Sequence, residues 1–239
     1  MADFSKVSVA VLAGGLGTRL RSVVDGRPKV LAEVSGRPFL AYLLEHLART
    51  GVKSTVLCTG YLGEQISDRF GGQYGSVEII YSRESEPLGT GGSLRLALPH
   101  LNSDPVLVLN GDSFLAADLR AFWAWHHERG AEASMLLTWV ADSARYGSVE
   151  LNDHGQVIEF REKAATDGPN WVNSGVYLLS RSLIASLGEN VNSSLEYDLF
   201  PRLIGRALYG RTTDARFVDI GTPEDYASAT AFFKQIELT

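Results

Sequence analysis

Cysteine and long apolar runs are scarce in this sequence. Cys58 is the single cysteine among 239 residues, which excludes an intramolecular disulfide and a cysteine metal cluster within one chain. No run approaches the ~18 consecutive apolar residues that indicate a transmembrane helix. The first six residues lack the basic region and apolar stretch of a signal peptide. We therefore expect a cytoplasmic chain with no membrane partner.

Basic residues are fewer than acidic residues in this sequence. The 22 Lys and Arg residues face 28 Asp and Glu residues, which gives a net charge of −6. Surfaces that bind nucleic acids normally carry a basic excess, so we expect no nucleic-acid partner. A small anionic ligand is not excluded, because its site needs only a few well-placed cations and backbone N–H groups.

The first half alternates short apolar strands with amphipathic helices. This alternation predicts crossover connections and a mostly parallel central sheet flanked by helices, which is an α/β fold. In such sheets ligands bind at the carboxyl ends of the strands. The predicted strands are 7–12, 54–59, 77–81 and 105–109, and the predicted helices are 39–50, 64–70 and 92–98.

The second half predicts a smaller antiparallel elaboration of the same sheet. Asn152-Asp153-His154-Gly155 is typical of a hairpin turn, because Asn, Asp and Gly tolerate positive φ. Thr222 and Pro223 predict the N-cap and first position of a closing helix. The His126-His127 pair lies in a helical pattern, and we expect it at the surface rather than at a zinc ion. The predicted strands are 133–140, 147–151, 157–161, 172–179 and 215–219, and the predicted helices are 195–207 and 223–236.

A glycine loop follows the first predicted strand. Gly14, Gly15 and Gly17 let the backbone approach a phosphate closely and direct N–H groups toward it. Arg19 and Lys29 add positive charge that suits phosphoryl groups. An ordinary glycine turn is the structural alternative.

Two common phosphate-binding motifs do not fit this loop. A P-loop requires Gly-Lys-Ser/Thr, which does not follow here. The dinucleotide fingerprint requires a third glycine, and Leu20 occupies that position.

Six segments in order resemble the sugar-nucleotide pyrophosphorylases, a family of sugar-phosphate nucleotidyltransferases. They cover about 220 residues, and their joint occurrence is far more specific than any one of them. They are Leu12-Ala13-Gly14-Gly15-Leu16-Gly17-Thr18-Arg19-Leu20 with Pro28-Lys29-Val30-Leu31; Glu86-Pro87-Leu88-Gly89-Thr90-Gly91-Gly92; Asn110-Gly111-Asp112; Phe160-Arg161-Glu162-Lys163; Val172-Asn173-Ser174-Gly175-Val176-Tyr177; and Asp219-Ile220-Gly221-Thr222-Pro223-Glu224-Asp225-Tyr226.

The resemblance implies a Rossmann-like nucleotidyltransferase fold and a defined reaction. A sugar 1-phosphate oxygen attacks the α-phosphorus of a nucleoside triphosphate, and pyrophosphate leaves. Residues 1–239 would form a single domain, with a nucleotide-binding half over about 1–115 and a sugar-phosphate-binding half over 116–239. The partners would be the nucleoside triphosphate and the sugar 1-phosphate. The sequence leaves the oligomeric state open, with a homo-oligomer as one option.

The resemblance also implies roles for individual residues. Arg19, Lys29 and Asp112 would be catalytic, and Asp112 with Asp219 would hold Mg²⁺, a hard cation that suits carboxylate and phosphate oxygens. Asp219 as a helix cap is the alternative, although Thr222 suits that role better. The implied nucleotide-binding residues are Leu12, Ala13, Gly14, Gly15, Gly17, Thr18, Glu84, Pro87, Leu88, Gly89, Thr90, Gly91, Asn110 and Gly111. The implied sugar-phosphate-binding residues are Tyr146, Gly147, Glu162, Lys163, Asn173, Gly175 and Glu196.

The acidic residues ahead of Leu88 favour guanine as the base. Guanine presents two adjacent donors, N1–H and N2–H₂, which one carboxylate can accept together. Glu84 or Glu86 is the candidate carboxylate, and exposure of both glutamates to solvent is the alternative. Many uridylyl- and thymidylyltransferases of the family carry Gln ahead of this loop.

The pattern as a whole is most similar to the D-glycero-D-manno-heptose 1-phosphate guanylyltransferases of the family. GTP and a heptose 1-phosphate are therefore the favoured substrates, and uridylyl or thymidylyl transfer to a hexose 1-phosphate is the alternative. A non-catalytic regulatory subunit is a third hypothesis. The joint presence of Arg19, Lys29, Asp112 and Asp219 speaks against it, because a decayed site would be expected to lose at least one of them.

Overall fold

The computed structural model describes residues 4–15, 17–20, 23–24, 26–161 and 168–236. Its strands are β1 (Val9–Leu12), β2 (Glu33–Val34), β3 (Arg37–Pro38), β4 (Ser54–Thr59), β5 (Gln73–Tyr74), β6 (Val77–Arg83), β7 (Val106–Asn110), β8 (Ser113–Leu115), β9 (Ala133–Val140), β10 (Ser148–Leu151), β11 (Val157–Arg161), β12 (Asn170–Leu179), β13 (Leu208–Thr213) and β14 (Phe217–Asp219). Its α-helices are α1 (Phe39–Thr50), α2 (Gly63–Phe70), α3 (Gly89–Ala97), α4 (Leu119–Arg129), α5 (Arg181–Ala185), α6 (Phe200–Leu203) and α7 (Pro223–Ile236).

One mixed sheet forms the centre of the molecule. The strands β7, β1, β4 and β6 lie side by side and parallel. The antiparallel strand β12 extends this sheet beside β7, and β9 and β13 follow on the far edge of β12. The predicted α/β class, with a mostly parallel core and an antiparallel elaboration, is confirmed.

Apolar layers cover both faces of the sheet. Val9 and Val11 of β1 point into one core cluster together with α1 and α7, while Ala10 points into the other with α3. Both faces of a central parallel strand must be covered, which explains the continuous apolar run that identified β1 in the sequence. Burying one such Val or Leu side chain stabilises the fold by roughly 1.5–3 kcal/mol. These layers hold the carboxyl ends of β1 and β7 in place.

The prediction of a helix over 195–207 is wrong in its second part. The chain forms a π-helical turn over Leu195–Leu199, then the short helix α6, and enters β13 at Leu208. Pro201 lies in the first turn of α6, where its missing N–H costs nothing. The chain leaves the helix at Ile204, whose ψ is 135°, and Gly205 with a φ of 70° takes the left-handed position of the turn that the Arg206 N–H closes on the Leu203 carbonyl at 3.1 Å.

The end of the chain packs back onto the first half. The hydroxyl of Thr222 accepts a hydrogen bond from the Asp225 N–H at 3.3 Å, so the predicted cap of α7 is present. Phe233 of α7 stacks on Tyr42 of α1 with ring centroids 3.7 Å apart. Within the described residues, no helix is long and apolar enough to span a membrane.

The surface position expected for the two adjacent histidines is wrong for His126. His126 is only 3% exposed, and its Nδ1 lies 2.8 Å from the Ser134 hydroxyl of β9. Burial lowers the pKa of His126 to about 4, so the imidazole is neutral near pH 7. Its role is packing of α4 against the sheet.

Candidate active site

Two adjoining pockets open at the carboxyl ends of β1 and β7. The glycine-loop pocket has a volume of about 260 Å³ and is lined by Leu12, Ala13, Gly14, Gly15, Lys29, Val30, Glu84, Pro87, Gly89, Thr90, Ser93, Asn110 and Asp112. The acidic pocket has a similar volume and is lined by Arg19, Lys29, Thr90, Asn110, Asp112, Ser113, Arg145, Tyr146, Gly147, Asn173, Glu196, Tyr197, Phe217, Asp219, Gly221, Thr222 and Asp225. The two pockets share Lys29, Thr90, Asn110 and Asp112.

The sheet brings distant segments together at this edge. Leu12 at the end of β1 pairs with Asn110 at the end of β7. Asp112 lies two residues after Asn110, and the antiparallel pair β8–β14 places Asp219 opposite Ser113. The two acidic residues singled out in the sequence therefore flank one serine, although 107 positions separate them in the chain.

An ion pair lies at the junction of the two pockets. The Nζ of Lys29 is 2.7 Å from Oδ2 of Asp112, and their side chains are 12% and 37% exposed. Burial raises the pKa of the Asp112 carboxyl, but the charge and hydrogen bond of Lys29 outweigh it, and the net pKa is lowered. Asp112 is therefore a carboxylate at neutral pH.

Asp219 is the second carboxyl group of the acidic pocket. Its Oδ2 accepts a hydrogen bond from the Ser113 hydroxyl at 3.1 Å, and its Oδ1 accepts one from the Gly221 N–H at 2.6 Å. Burial, followed by the charge of Asp112, raises the pKa of Asp219 to about 6. The negative charge of Asp112 therefore repels a negative charge on Asp219. A cation held by both carboxylates would neutralise this repulsion.

The donor set of this pocket suits Mg²⁺. Among the described residues, no group of three or more His, Cys, Asp or Glu side chains is arranged to hold a metal. Two carboxylates are nevertheless enough for Mg²⁺, which takes its other ligands from water and substrate phosphates. Asp112 and Asp219 therefore fit a metal that arrives with a phosphate-bearing substrate.

Glu84 lies on the wall of the glycine-loop pocket and is 8% exposed. Its carboxylate packs against two glycines: a Cβ added at Gly14 would lie 3.0 Å from Oε1, and one at Gly60 would lie 2.5 Å from it. Oε2 accepts a hydrogen bond from the Leu88 N–H at 3.3 Å. Burial raises the pKa of Glu84 above its usual value. Glu86, in contrast, is exposed and lines neither of the two pockets.

Several predicted glycines take part in backbone packing. Gly89 has a φ of 71°, and a Cβ there would overlap the Ser193 carbonyl oxygen. The Gly91 N–H donates to that same oxygen at 2.8 Å, and the Ser193 N–H donates to the Leu88 carbonyl at 2.9 Å. Leu88 and Gly91 line neither pocket, and they hold the start of α3 against residues 191–193.

Other predicted residues do not line the two pockets directly. Gly17 has a φ of 59° and lies against the Cβ of Lys29, and Gly111 packs against the Leu12 carbonyl. Gly175 has a φ of 76° and packs against the Asn110 side chain. Thr18 precedes Arg19 in a short 3₁₀ turn and is exposed. Like Leu88 and Gly91, Gly17, Thr18, Gly111 and Gly175 line neither pocket.

A hydrogen-bonded network lines the acidic pocket on its other side. Oε2 of Glu196 accepts from the Thr90 hydroxyl at 2.8 Å and from the Ser194 hydroxyl at 2.7 Å. The Asn173 amide donates to the Tyr177 hydroxyl at 2.8 Å. Tyr146, Gly147, Asn173 and Glu196 thus meet in one pocket, as their predicted common role requires. Glu162, Lys163 and Leu16 lie outside the described residues.

Sequence reasoning missed several lining residues. Ser93, Ser113, Tyr197 and Phe217 are not singled out as site residues by the sequence, and the fold brings them to the pockets. Asp225 lies in the last of the six segments that carry the resemblance, and Arg145 directly precedes the predicted residue Tyr146. Their mutual ion pair joins positions 80 residues apart, which no local pattern indicates.

Known proteins resemble this chain over most of its length. Residues 8–236 match the model of the nucleotidyl transferase family. A D-glycero-alpha-D-manno-heptose 1-phosphate guanylyltransferase of Aneurinibacillus thermoaerophilus is 37% identical over 220 residues, which cover 92% of this chain and 95% of that protein. A mannose-1-phosphate guanylyltransferase of Mycobacterium tuberculosis is 32% identical over 95% of this chain, which spans 64% of that longer protein.

Solved structures of known proteins also resemble this chain over most of its length. HddC from Yersinia pseudotuberculosis, crystallised with GMP-PN, superposes with a TM-score of 0.85 at 34% identity, covering 95% of this chain and 99% of HddC. A putative glucose-1-phosphate thymidylyltransferase of Bacillus anthracis shares the fold with a TM-score of 0.84 at 21% identity, covering 95% of this chain and 94% of that one. The resemblance seen in the sequence is confirmed, and the chain belongs to the nucleotidyl transferase family.

Proposed function

We propose that this protein transfers a guanylyl group from GTP to a sugar 1-phosphate, with a heptose 1-phosphate as the favoured acceptor. The products are a GDP-sugar and pyrophosphate. The observation that carries this proposal is the pair of adjoining pockets that share Lys29 and Asp112. Two relatives that are similar over nearly their whole length support these substrates: the Aneurinibacillus enzyme is a heptose 1-phosphate guanylyltransferase, and HddC was crystallised with GMP-PN.

The shared wall suits a reaction between two anions. GTP would occupy the glycine-loop pocket and the sugar 1-phosphate the acidic pocket, so that their phosphates meet beside Lys29. One of the three Lys29 ammonium protons points to Asp112, and the others remain for phosphate oxygens. Arg19 lies on the wall of the acidic pocket, which also contains Lys29, and would neutralise phosphate charge where the two substrates meet. Positioning and charge neutralisation are the main requirements of such a transfer.

Asp112 and Asp219 would hold Mg²⁺. When bound, the ion supplies Lewis-acid polarisation and neutralises phosphate charge. The hydrogen bonds from Ser113 and Gly221 fix the orientation of the Asp219 carboxylate, and Lys29 fixes that of Asp112. These contacts order the two carboxylates before substrate arrives, which lowers the cost of binding.

Glu84 is the residue that we assign to guanine. It is buried in the wall of the glycine-loop pocket, whereas Glu86 is exposed and does not line that pocket. A carboxylate can accept from N1–H and N2–H₂ of guanine together, and the same carboxylate would face an acceptor of uracil or thymine. The other predicted nucleotide- and sugar-binding residues are proposed to act by direct lining or by the packing described above. The roles of Thr18, Glu162 and Lys163 stay predictions.

A substrate matrix tests the proposed function. Purified protein with Mg²⁺ is offered GTP, UTP, CTP, dTTP or ATP against heptose, mannose and glucose 1-phosphates, and pyrophosphate release is measured. We expect the highest kcat/KM with GTP and the heptose 1-phosphate. A preference for UTP or dTTP would overturn the assignment of Glu84, and absence of pyrophosphate in every combination would overturn catalysis itself.

We also propose that the chain acts as a single domain in the cytoplasm. The pairing of β7 with β12, which joins the two proposed halves in one sheet, supports the single domain. The cytoplasmic location, the lack of nucleic-acid partners and the option of a homo-oligomer stay predictions.

A further inference from the structure

A bidentate ion pair closes one side of the acidic pocket. Arg145 lies in the loop between β9 and β10, and Asp225 lies in the first turn of α7. Nη1 of Arg145 is 2.5 Å from Oδ2 of Asp225, and Nη2 is 2.7 Å from Oδ1. Nη1 also donates to the Thr222 hydroxyl at 3.0 Å. Such a fork fixes both distance and orientation between two elements, unlike a single ion pair.

Each partner is attached to a different wall of the pocket. Arg145 directly precedes Tyr146 and Gly147, which line the pocket where the sugar would lie. Asp225 belongs to the helix that follows Asp219, the second carboxylate of the pocket. The Tyr146 ring also packs edge-on against Phe217 of β14, with centroids 5.6 Å apart. The ion pair therefore joins the loop that carries Tyr146 and Gly147 to the segment that carries Asp219.

Separate contacts hold the loop on both sides of Arg145. The N–H and hydroxyl of Ser143 donate to the Gly168 carbonyl at 3.1 and 2.9 Å. The Asn173 N–H donates to the Gly147 carbonyl at 2.9 Å, which ties the loop end to β12. These contacts fix the loop to the sheet, and the Arg145 fork fixes it to α7.

We propose that the Arg145–Asp225 pair is a latch that sets the width of the sugar side of the active site. It acts through Tyr146 and Gly147, and it aligns a bound sugar 1-phosphate with the Lys29–Asp112 pair. Arg145 is thus a positioning residue, because both of its terminal nitrogens face Asp225 and its charge is already compensated. This inference rests on the proposed function for its kinetic consequences.

Single and double variants test the latch. Arg145→Met and Asp225→Asn should each raise KM for the sugar 1-phosphate about tenfold. This effect is larger than the loss of an exposed ion pair alone would cause, and smaller than the roughly hundredfold loss of rate that a 1 Å misplacement of substrate can cause. KM for GTP should stay within about twofold of the wild-type value, because a change that affects only sugar 1-phosphate binding alters only the KM for the sugar 1-phosphate. The double variant should be no worse than either single variant, since both changes open the same latch.

A matched control separates the latch from general surface charge. Arg49 of α1 is also exposed and pairs with a carboxylate, Glu45, at 2.6 Å, but it lies outside both pockets. Arg49→Met should leave both KM values unchanged. A direct phosphate contact by Arg145 predicts a different pattern, in which Asp225→Asn frees the guanidinium and lowers KM for the sugar 1-phosphate while Arg145→Met raises it. That pattern, or additive effects in the double variant, would overturn the latch.

Hydrogen exchange tests the same inference without turnover. Amides of residues 141–147 should exchange faster in Arg145→Met and in Asp225→Asn than in the wild type or in Arg49→Met, because the loop has lost its tie to α7. Unchanged exchange over 141–147 would overturn the latch even if the kinetics changed. If the wild type releases no pyrophosphate from any substrate pair, the proposed function fails while this measurement still decides whether the latch exists.

Discussion

At the scale of single residues, the Lys29–Asp112 pair is the centre of the proposed chemistry, since it belongs to both pockets. Asp112→Asn removes the charge while nearly preserving shape and one hydrogen-bond acceptor. We expect kcat/KM to fall by about 100- to 1,000-fold, comparable to the loss of one preorganised transition-state contact. Circular dichroism should show a native spectrum. Asp68→Asn, on the exposed face of α2, is the control, and an active Asp112→Asn enzyme would remove Asp112 from the mechanism.

A second prediction at the scale of single residues concerns Glu84, which we assign to recognition of the guanine base. In Glu84→Gln an NH₂ group, which donates hydrogen bonds, replaces one carboxylate oxygen, which accepts them. The NH₂ group would face a donor of guanine unfavourably and a carbonyl acceptor of uracil favourably. We expect the ratio of kcat/KM for GTP to that for UTP to fall by about 10- to 100-fold, the range for a hydrogen bond to a charged group. Glu86→Gln should keep the ratio unchanged because Glu86 is exposed and lines neither the glycine-loop pocket nor the acidic pocket. Equal ratios in Glu84→Gln and the wild type would show that another group reads the base.

At the scale of elements, the start of α3 depends on glycine where its backbone meets residues 191–193. Gly89→Ala would place a Cβ against the Ser193 carbonyl oxygen at a φ of 71°. Such strain costs about 1–3 kcal/mol, and Tm should fall by about 2–4 °C per kcal/mol in a chain of this size. Gly72→Ala is the control, because no atom lies within 4 Å of its added Cβ. A thermal melt of Gly89→Ala that matches Gly72→Ala would contradict the packing role.

Elements with a strong local pattern were predictable from the sequence, and their long-range pairing was not. The leucine spacing and Gly51 predicted α1 with its observed bounds, and the strand predicted over 54–59 coincides with β4. Strand β13 was missed because its segment, Leu208–Thr213, contains polar residues and a glycine and is defined by pairing with β9. Likewise, Asp112 and Asp219 were recognisable as candidates, but Ser113 between them follows from the β8–β14 pairing alone.

At the scale of the whole molecule, the sheet makes the two proposed halves one cooperative unit. Strand β7 of the first half pairs with β12 of the second, and both core clusters contain residues from each half. A chain built this way should unfold in one two-state transition, because neither half retains a complete core without the other. The alternative is two separable domains, which would unfold at different denaturant concentrations.

The sequence supplies a probe for each half. The four tryptophans, Trp123, Trp125, Trp139 and Trp171, all lie in the second half, and Cys58 lies in the first. Cys58 is fully buried in β4, and burial raises the pKa of its thiol to about 12, so it should react with a thiol reagent only after unfolding. We expect the urea midpoint from tryptophan fluorescence to coincide with that from Cys58 labelling. Labelling of Cys58 at a urea concentration that leaves the tryptophan signal native would contradict a single domain and place a boundary between β7 and β12.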